Sequence, residues 1–387
     1  MINLKITAKN LLVKFKIIKF SFNFKINCHK FYFKRVFIKL IYHFNKNRFL
    51  KKIYPKKTLE MNNTSLLIGY INGIGKETSL WIARVTVPLG ILLNMISVYI
   101  FLRPNLNKTN MGFYNLNISI WNTIVLLHYL LIFDPKIMAF NYNFEILNEF
   151  NCKMYYVTTR VLRQVPTWLE ALITFDRYLS VCHHGKCLFI KKKQNIILIM
   201  IFMITFLIIV GIPNFLFHLE TQISFVNTSN LTTKSVKCTT IKEIVLETSV
   251  SAVIFKIIIP GILIIIFSIL LLQGVKNSKS NLKQSTNKKS TKEKELESSI
   301  LWMNLIFLIL NVPVAVMYTV KSIYDNLIMS NDLIKIAVIN NIYFFTTDIA
   351  NLYYSLMFFT FLAFNRIFRC EILAILLGYR SNYFVGK

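Results

Sequence analysis

The sequence predicts an all-α membrane protein, a seven-transmembrane helix bundle followed by a short amphipathic C-terminal helix. Three observations support this fold class. Of the 387 residues, 55% are hydrophobic and only 16% are charged, whereas a soluble domain carries about 25% charged residues. Seven apolar blocks are each long enough to cross a bilayer core, which requires about 20 apolar residues per helix. Short polar loops separate these blocks, as expected for helices that cross a membrane in turn.

The seven predicted spans run from residue 80 to residue 363. The fourth is the clearest, because residues 196–213 contain no charge. Backbone amides in hydrocarbon find no water to bond, so each span must be helical. The predicted spans are residues 80–102, 113–133, 152–181, 195–217, 244–272, 297–323 and 337–363.

Residues 1–60 differ from the rest of the chain in charge. They hold sixteen Lys or Arg and a single acid, Glu60, which gives +15 of the net charge of +29. They lack the apolar block of a signal peptide. We therefore expect 1–60 to be a basic extension outside the native protein, with a natural start at Met61; a basic targeting arm or a membrane-surface helix is the alternative.

The remaining chain divides into three predicted regions. Residues 61–79 form an extracellular N-terminus whose two overlapping N-glycosylation sequons begin at Asn62 and Asn63. Residues 80–363 form the transmembrane domain. Residues 364–387 form the amphipathic helix and a short cytoplasmic tail.

The distribution of cations predicts the orientation. Lys and Arg are concentrated in the loops after spans one, three and five and in the C-terminal tail, which marks these segments as cytoplasmic. The opposite loops carry acids and two further sequons, at Asn227 and Asn230. We therefore expect a multi-pass plasma-membrane protein with its N-terminus outside. The sequon at Asn107 falls on the inner side and should stay unmodified.

The third span carries Asp176-Arg177-Tyr178 close to its inner end. An acid beside an arginine positions a guanidinium that can later bind backbone carbonyls of a partner. Cys152 precedes Arg177 by 25 residues, or about 37 Å of helix, which places the cysteine at the outer membrane face. This arrangement resembles the rhodopsin-like, class A G-protein-coupled receptors.

The resemblance implies a function and a disulfide. In that family the cysteine bonds to one in the second outer loop, where Cys238 is the only candidate. The chain would bind an extracellular ligand and activate a heterotrimeric G protein through Asp176, Arg177 and Tyr178. It would not be an enzyme.

Four further segments resemble motifs of the same family. Asn94 resembles the first-helix asparagine, and Pro260 and Pro313 resemble the prolines that kink helices five and six. Residues 364–369 resemble the start of the short helix that follows helix seven. In the seventh helix, residues 357–361 occupy the Asn-Pro-x-x-Tyr position if Phe368 anchors the alignment, and a second register places Asn351 at its asparagine.

Two departures concern the polar interior. Asn122 replaces the second-helix aspartate, and Asn311 replaces the sixth-helix tryptophan. Glu170 lies seven residues before Arg177 on the same helical stripe. It either restores a negative charge to the mid-membrane polar cluster or pairs with Arg163. Glu293, twenty residues before Pro313, falls where an acid of helix six could reach Arg177.

The ligand is predicted from the outer half of the bundle. Thr159 stands where amine receptors carry a cation-pairing aspartate, which argues against an amine. Arg160 and Arg163 either face the ligand or pair internally with Asp348 or Glu247, because ionisable residues in a membrane span are costly. The predicted ligand pocket contains Thr159, Arg160, Arg163, Asn311 and Asp348. Lys256 and His128 are interpreted as snorkelling or structural residues.

Residues 102–113 and 310–313 are similar to invertebrate neuropeptide receptors of the FMRFamide type. The resemblance therefore implies an extracellular peptide ligand, with a small acidic or lipid ligand as the alternative. A membrane transporter would predict inverted repeats or broken helices, which the sequence lacks. It also lacks a phosphate-binding loop and a metal-ligand cluster, so no cofactor or metal is expected. Cytoplasmic loops account for the basic charge, and the partner is a lipid bilayer and not nucleic acid.

Overall fold

The computed structural model describes residues 64–133, 144–182, 192–226, 231–281, 289–324 and 333–376. The chain divides into two compact units, 1–67 and 68–387. The first four long helices are α1 (Thr64–Phe101), α2 (Asn110–His128), α3 (Glu149–Cys182) and α4 (Lys193–Gly211).

Three more long helices and one short helix follow. Helix α5 begins as Lys242–Val253, passes through a π-helical turn at Ile254–Ile258 and continues as Ile259–Asn281. The last three are α6 (Lys289–Ile323), α7 (Leu333–Phe364) and α8 (Arg366–Leu376). The seven predicted spans lie along these seven long helices, which confirms the all-α bundle.

Length and hydropathy alone identify five of the described helices as membrane spans. These are α1, α2, α4, α5 and α6. Helices α3 and α7 are long enough, with 34 and 32 residues, but they carry more polar side chains. The mean hydropathy of helix α4 reaches 3.0, because Lys193 at its start is followed by an uncharged run.

Proline and asparagine shape the ends and interruptions of the helices. Pro260 lies two residues after the π turn of α5, and Pro313 lies inside α6, as predicted. Pro88 and Pro166 lie inside α1 and α3. Asn365 separates α7 from α8, and its side-chain oxygen accepts a hydrogen bond from the Phe368 amide at 3.1 Å. This contact caps the N-terminus of the amphipathic helix.

An antiparallel hairpin joins α4 to α5. Strand β1 (His218–Val226) pairs with strand β2 (Leu231–Thr239), and the register sets Leu219 opposite Cys238. Residues 227–230, with the sequons at Asn227 and Asn230, lie outside the described residues, as do Asn62 and Asn63.

Close packing of α1 against α7 depends on Gly90. A Cβ at this position would lie 2.2 Å from Ser355 Oγ, so any side chain would push the helices apart. With α7 this close, Asn94 Nδ2 donates hydrogen bonds to the backbone oxygens of Gly90 and Tyr354, both at 2.8 Å. Ser355 Oγ returns a bond to Thr86 O at 3.0 Å. The predicted first-helix asparagine therefore joins two helices.

Candidate functional site

A disulfide attaches the hairpin to one end of α3. Cys152 and Cys238 are bonded, with their Cα atoms 5.7 Å apart, which confirms the pairing that the resemblance implied. One turn along α3, the ring of Tyr156 stacks on Phe217 at a centroid distance of 3.9 Å. Helix α3 and the start of the hairpin are therefore fixed to each other by a covalent bond and an aromatic contact.

A cavity of about 810 Å³ lies at the same end of the bundle. On α3 its lining extends from Tyr155 to Gln164, and α5, α6 and α7 supply other walls. The volume falls within the usual range of ligand pockets. Its lining is rich in tyrosine, with Tyr129, Tyr155, Tyr156, Tyr318 and Tyr343.

Four of the five predicted pocket residues line this cavity. Thr159, Arg160, Arg163 and Asp348 are all on its wall. Asn311 is not, so its predicted place in the pocket is wrong for this cavity. The physical reason is that the Asn311 amide is buried and donates to the Phe307 carbonyl of its own helix at 3.0 Å.

Arg160 pairs with neutral groups of α5. Its Nη2 donates to the Thr248 carbonyl and, at 2.5 Å, to the Ser251 hydroxyl. The predicted alternative of an ion pair with Glu247 is wrong, because Glu247 is exposed one position away from the carbonyl that Arg160 uses. Arg163 lies over the Tyr129 ring, with Cζ 5.5 Å from the ring centroid, and shares the cavity wall with Asp348.

The position of Lys256 differs from the snorkelling position that the sequence suggested. It belongs to the π turn of α5 and lines the cavity, so it does not snorkel toward the membrane surface. His128, by contrast, is structural as predicted: it is buried, and a 3.0 Å hydrogen bond joins its Nε2 to Thr158 Oγ1.

Below the cavity, a buried polar cluster connects α3 to its neighbours. Glu170 is fully buried, and its carboxylate accepts a hydrogen bond from the Tyr353 hydroxyl of α7. The alternative that Glu170 pairs with Arg163 is therefore wrong. Thr174 Oγ1 lies 3.2 Å from Asn304 Oδ1 of α6. Asn122 is also fully buried, and neither of its amide atoms has a hydrogen-bond partner among the described residues.

The other end of α3 carries the predicted ion pair. Arg177 Nη2 donates to Asp176 Oδ2 at 2.8 Å, and Asp176 is buried. Tyr178 stacks on Phe267 of α5, with ring centroids 5.8 Å apart. Glu293 lies on α6, but its side chain is outside the described part of the chain. An arginine held by its neighbouring acid is available for a second partner if that ion pair opens.

The model of the rhodopsin family of seven-transmembrane receptors matches residues 93–351, more than half of the chain. The chain belongs to this family. No curated protein matches the sequence. Membership establishes a membrane-embedded class A receptor and not an enzyme. The FMRFamide-type similarity is not confirmed.

The amphipathic helix of the receptor is held against α1. Phe368 lies within an aromatic cluster, 5.2 Å from Phe101 and 5.5 Å from Phe361 between ring centroids. Arg103, just after α1, donates to Glu371 at 2.9 Å, and this hydrogen bond raises the pKa of the guanidinium. Phe361 is the last residue of 357–361, the segment that the sequence aligns with the seventh-helix motif. This end of the segment therefore lies beside Phe368.

Sequence reasoning missed three residues of the receptor that the structure places at the site. Lys256 stood out as a charge in an apolar span, which is by itself a signal of function. Glu371 is three residues after Phe368, on the face that faces the bundle. Tyr353 had no signal, since its partner Glu170 is 183 residues away.

Proposed function

We propose that this receptor binds an extracellular neuropeptide in the tyrosine-lined cavity and activates a heterotrimeric G protein through the cytoplasmic end of α3. The supporting observation is that one helix carries both sites. Its cavity-lining residues end at Gln164, and Arg177 follows 13 residues later, which is about 20 Å along the helix. A ligand that moves α3 or its partners can therefore act on Arg177.

The shape and chemistry of the cavity support a peptide. A volume of about 810 Å³ accommodates several side chains, and its wall mixes tyrosine rings with amides and charges. Peptides offer both backbone carbonyls and aromatic groups to such a wall. The alternative ligand is a small acidic or lipid molecule that meets Arg160 and Arg163. Both alternatives place the ligand at the same end of α3.

A second hollow has no charged residue among its described lining residues. It measures about 470 Å³, lies between α5 and α6 and is lined by apolar side chains apart from Thr319. Such a surface suits lipid chains but offers no charge to a peptide. The larger cavity is therefore the ligand site that we propose.

The proposed orientation sets the disulfide end outside the cell. Cations of the loops after α1, α3 and α5 support this orientation. Glycosylation of the full chain tests this orientation. A glycosidase should lower the mass of that loop in the native protein, and replacing Asn227 and Asn230 with Gln should abolish this loss of mass. The Asn107→Gln control should leave the mass unchanged. A glycan on Asn107 would contradict the proposed orientation and indicate the opposite one.

The proposed switch is the Arg177 ion pair. In the resting receptor Asp176 pairs with the Arg177 guanidinium. We propose that Glu293 of α6 is a second partner of Arg177 in this state and so acts as a lock. An agonist shifts the bundle toward a state in which α6 moves away and Arg177 binds the G protein. Glu293→Ala should therefore raise basal nucleotide exchange, and unchanged basal exchange would remove the lock from the mechanism.

A peptide screen tests the proposed function directly. The full chain, in lipid nanodiscs with purified heterotrimeric G proteins of each class, is exposed to a neuropeptide library that includes amidated FMRFamide-like peptides. The expected result is that at least one peptide accelerates GTPγS binding and that the Thr159→Trp variant, with a filled cavity, loses the response. Activation by small acids or lipids, with no response to peptides, would favour the alternative ligand.

A further inference from the structure

The position of Lys256 depends on a local irregularity of α5. The helix passes through a π turn at Ile254–Ile258, where the Ile259 amide bonds the Ile254 carbonyl five residues back. A π turn holds more residues than an α turn and changes which face each residue occupies. Lys256 is in the middle of this turn and lines the cavity, whereas Ile258 and Ile262 have exposed side chains on the apolar outer surface.

A residue of α3 stabilises the turn. The next bond of the π pattern would run from residue 260 to the Phe255 carbonyl, but Pro260 has no N–H. The Trp168 indole Nε1 donates to this carbonyl at 2.8 Å instead. An acceptor that would otherwise remain unsatisfied is therefore bonded from the neighbouring helix, and Lys256 keeps its place in the wall.

The cavity wall carries an excess of positive charge. Arg160, Arg163 and Lys256 line it, and Asp348 is the single acid among its described lining residues. Arg160 has acceptors on α5. Lys256 has no hydrogen-bond or ion-pair partner among the described residues, and it shares the cavity wall with Arg163. An amine in this setting is stabilised by an anion that a ligand brings.

We infer that Lys256 recognises a carboxylate of the peptide ligand. This inference rests on the proposed function, since it assigns a chemical group to a ligand of the same cavity. The carboxylate belongs either to a free C-terminus or to an acidic side chain, and the surrounding tyrosines contact the adjoining aromatic or apolar residue. Lys256 is then a specificity-determining residue, and Trp168 is the positioning residue that keeps the π turn in place.

Three small probes distinguish these sources of charge. N-acetyl-phenylalanine has a free carboxylate, N-acetyl-phenylalaninamide has none, and N-acetyl-aspartyl-phenylalaninamide has an acidic side chain with an amidated end. Their dissociation constants are measured by ligand-observed NMR on the full chain in nanodiscs. We expect at least one acid to bind about tenfold more tightly than the neutral amide, the effect of one charge-assisted hydrogen bond.

Variants assign the preference to Lys256. Lys256→Met and Lys256→Gln should abolish the difference between acid and amide, and Lys256→Arg should retain it. Lys193→Met removes a lysine that bonds Asn107 at the far end of α4, and it should leave the difference unchanged. If the neutral variants do not fold, Trp168→Phe, which releases the Phe255 carbonyl, should still weaken the preference several-fold.

The results separate this inference from the proposed function. Three results would overturn the carboxylate assignment. The acids and the amide could bind equally, or no acid could bind at about 10 mM. The preference for an acid could also stay unchanged in both Lys256→Gln and Trp168→Phe. Nucleotide exchange that neutral amidated peptides stimulate as well as acidic ones would also overturn it, while the receptor function would stand. A carboxylate preference without any nucleotide exchange would support the subsite and contradict G-protein coupling.

Discussion

Helices α3 and α4 are neighbours with opposite character. Helix α4 is the most apolar described span, and Leu198, Ile201 and Phe202 expose more than half of their side-chain surface. Helix α3 does not qualify as a membrane span by hydropathy. Its buried residues include the polar Gln164, Glu170 and Asp176. The comparison shows that the most apolar helix faces lipid, whereas the most polar one occupies the interior.

The difference arises from the partners that polar groups need in a membrane. A buried polar atom without a partner costs free energy, so the buried polar residues of α3 need hydrogen-bond partners on neighbouring helices. Through its polar side chains α3 reaches four helices: α2 through Thr158, α5 through Arg160 and Trp168, α6 through Thr174 and α7 through Glu170. An apolar helix such as α4 has no comparable constraint on its rotation. The polar residues of α3 therefore determine how this helix packs against its four neighbours.

The largest expected effect concerns the covalent anchor of α3. Cys238→Ser should remove the link to the hairpin and lower the free energy of unfolding by about 2–5 kcal/mol. Surface expression, measured by antibody labelling of intact cells, should then be lost. The control is Cys370→Ser, which alters an exposed free thiol on α8 and should express normally. Normal expression of Cys238→Ser would mean that α3 is held in place without the disulfide.

The next effect concerns the buried Glu170 and Tyr353 pair. Tyr353→Phe leaves a fully buried carboxyl without its donor, and we expect a loss of about 1–3 kcal/mol. Thermal unfolding of purified receptor in detergent measures the change. In a Glu170→Leu background the same substitution should cost less, since the acceptor is already absent. Equal costs in the two backgrounds would show that this hydrogen bond does not join α3 to α7.

A smaller effect is expected at Trp168. Trp168→Phe keeps most of the aromatic packing but removes the N–H that bonds the Phe255 carbonyl. The predicted loss is about 1 kcal/mol, the usual value for one hydrogen bond. Thermal unfolding measures it, and amide hydrogen exchange in Ile254–Ile258 should become faster. Unchanged exchange would show that the π turn does not need α3.

The smallest effect is expected on α4. Phe202 is 75% exposed, and Phe202→Leu should change stability by no more than about 0.5 kcal/mol. The same unfolding assay in a lipid environment provides the test. A loss above about 1 kcal/mol would mean that this face of α4 packs against another protein surface, which would break the contrast with α3.

Much of the fold could be predicted from the sequence because the bilayer leaves few choices. Apolar length defines the spans, and the Cys152 spacing and the Asp176-Arg177 pair locate the two ends of α3. Contacts between distant segments could not be predicted, because they depend on how each helix is rotated. Tyr353 reaches Glu170 only in the observed rotation of α7. Lys256 faces the cavity because of a π turn for which the sequence has no clear signal.

Asn311 illustrates a second limit. A polar residue in a membrane span can face a ligand or bond its own backbone, and its position in the sequence does not distinguish the two. The structure shows the second choice, with the Phe307 carbonyl as acceptor. Arg160 similarly donates from Nη2 to a neutral carbonyl and a hydroxyl rather than to an acid. The charges in the sequence therefore predicted a polar site, but they did not predict which groups accept the hydrogen bonds of its side chains.

We propose that α3 transmits ligand binding to a G protein through Arg177 and that α4 does not take part. It is tested most directly by GTPγS exchange in nanodiscs with a peptide that the screen identifies. We predict that Arg177→Ala abolishes peptide-stimulated exchange while peptide binding stays within about threefold, since Arg177 lies about 20 Å along α3 from the cavity. Lys193→Ala, the matched change at the first residue of α4, should retain both properties. Normal stimulated exchange in Arg177→Ala, or equal losses in the two variants, would contradict the account.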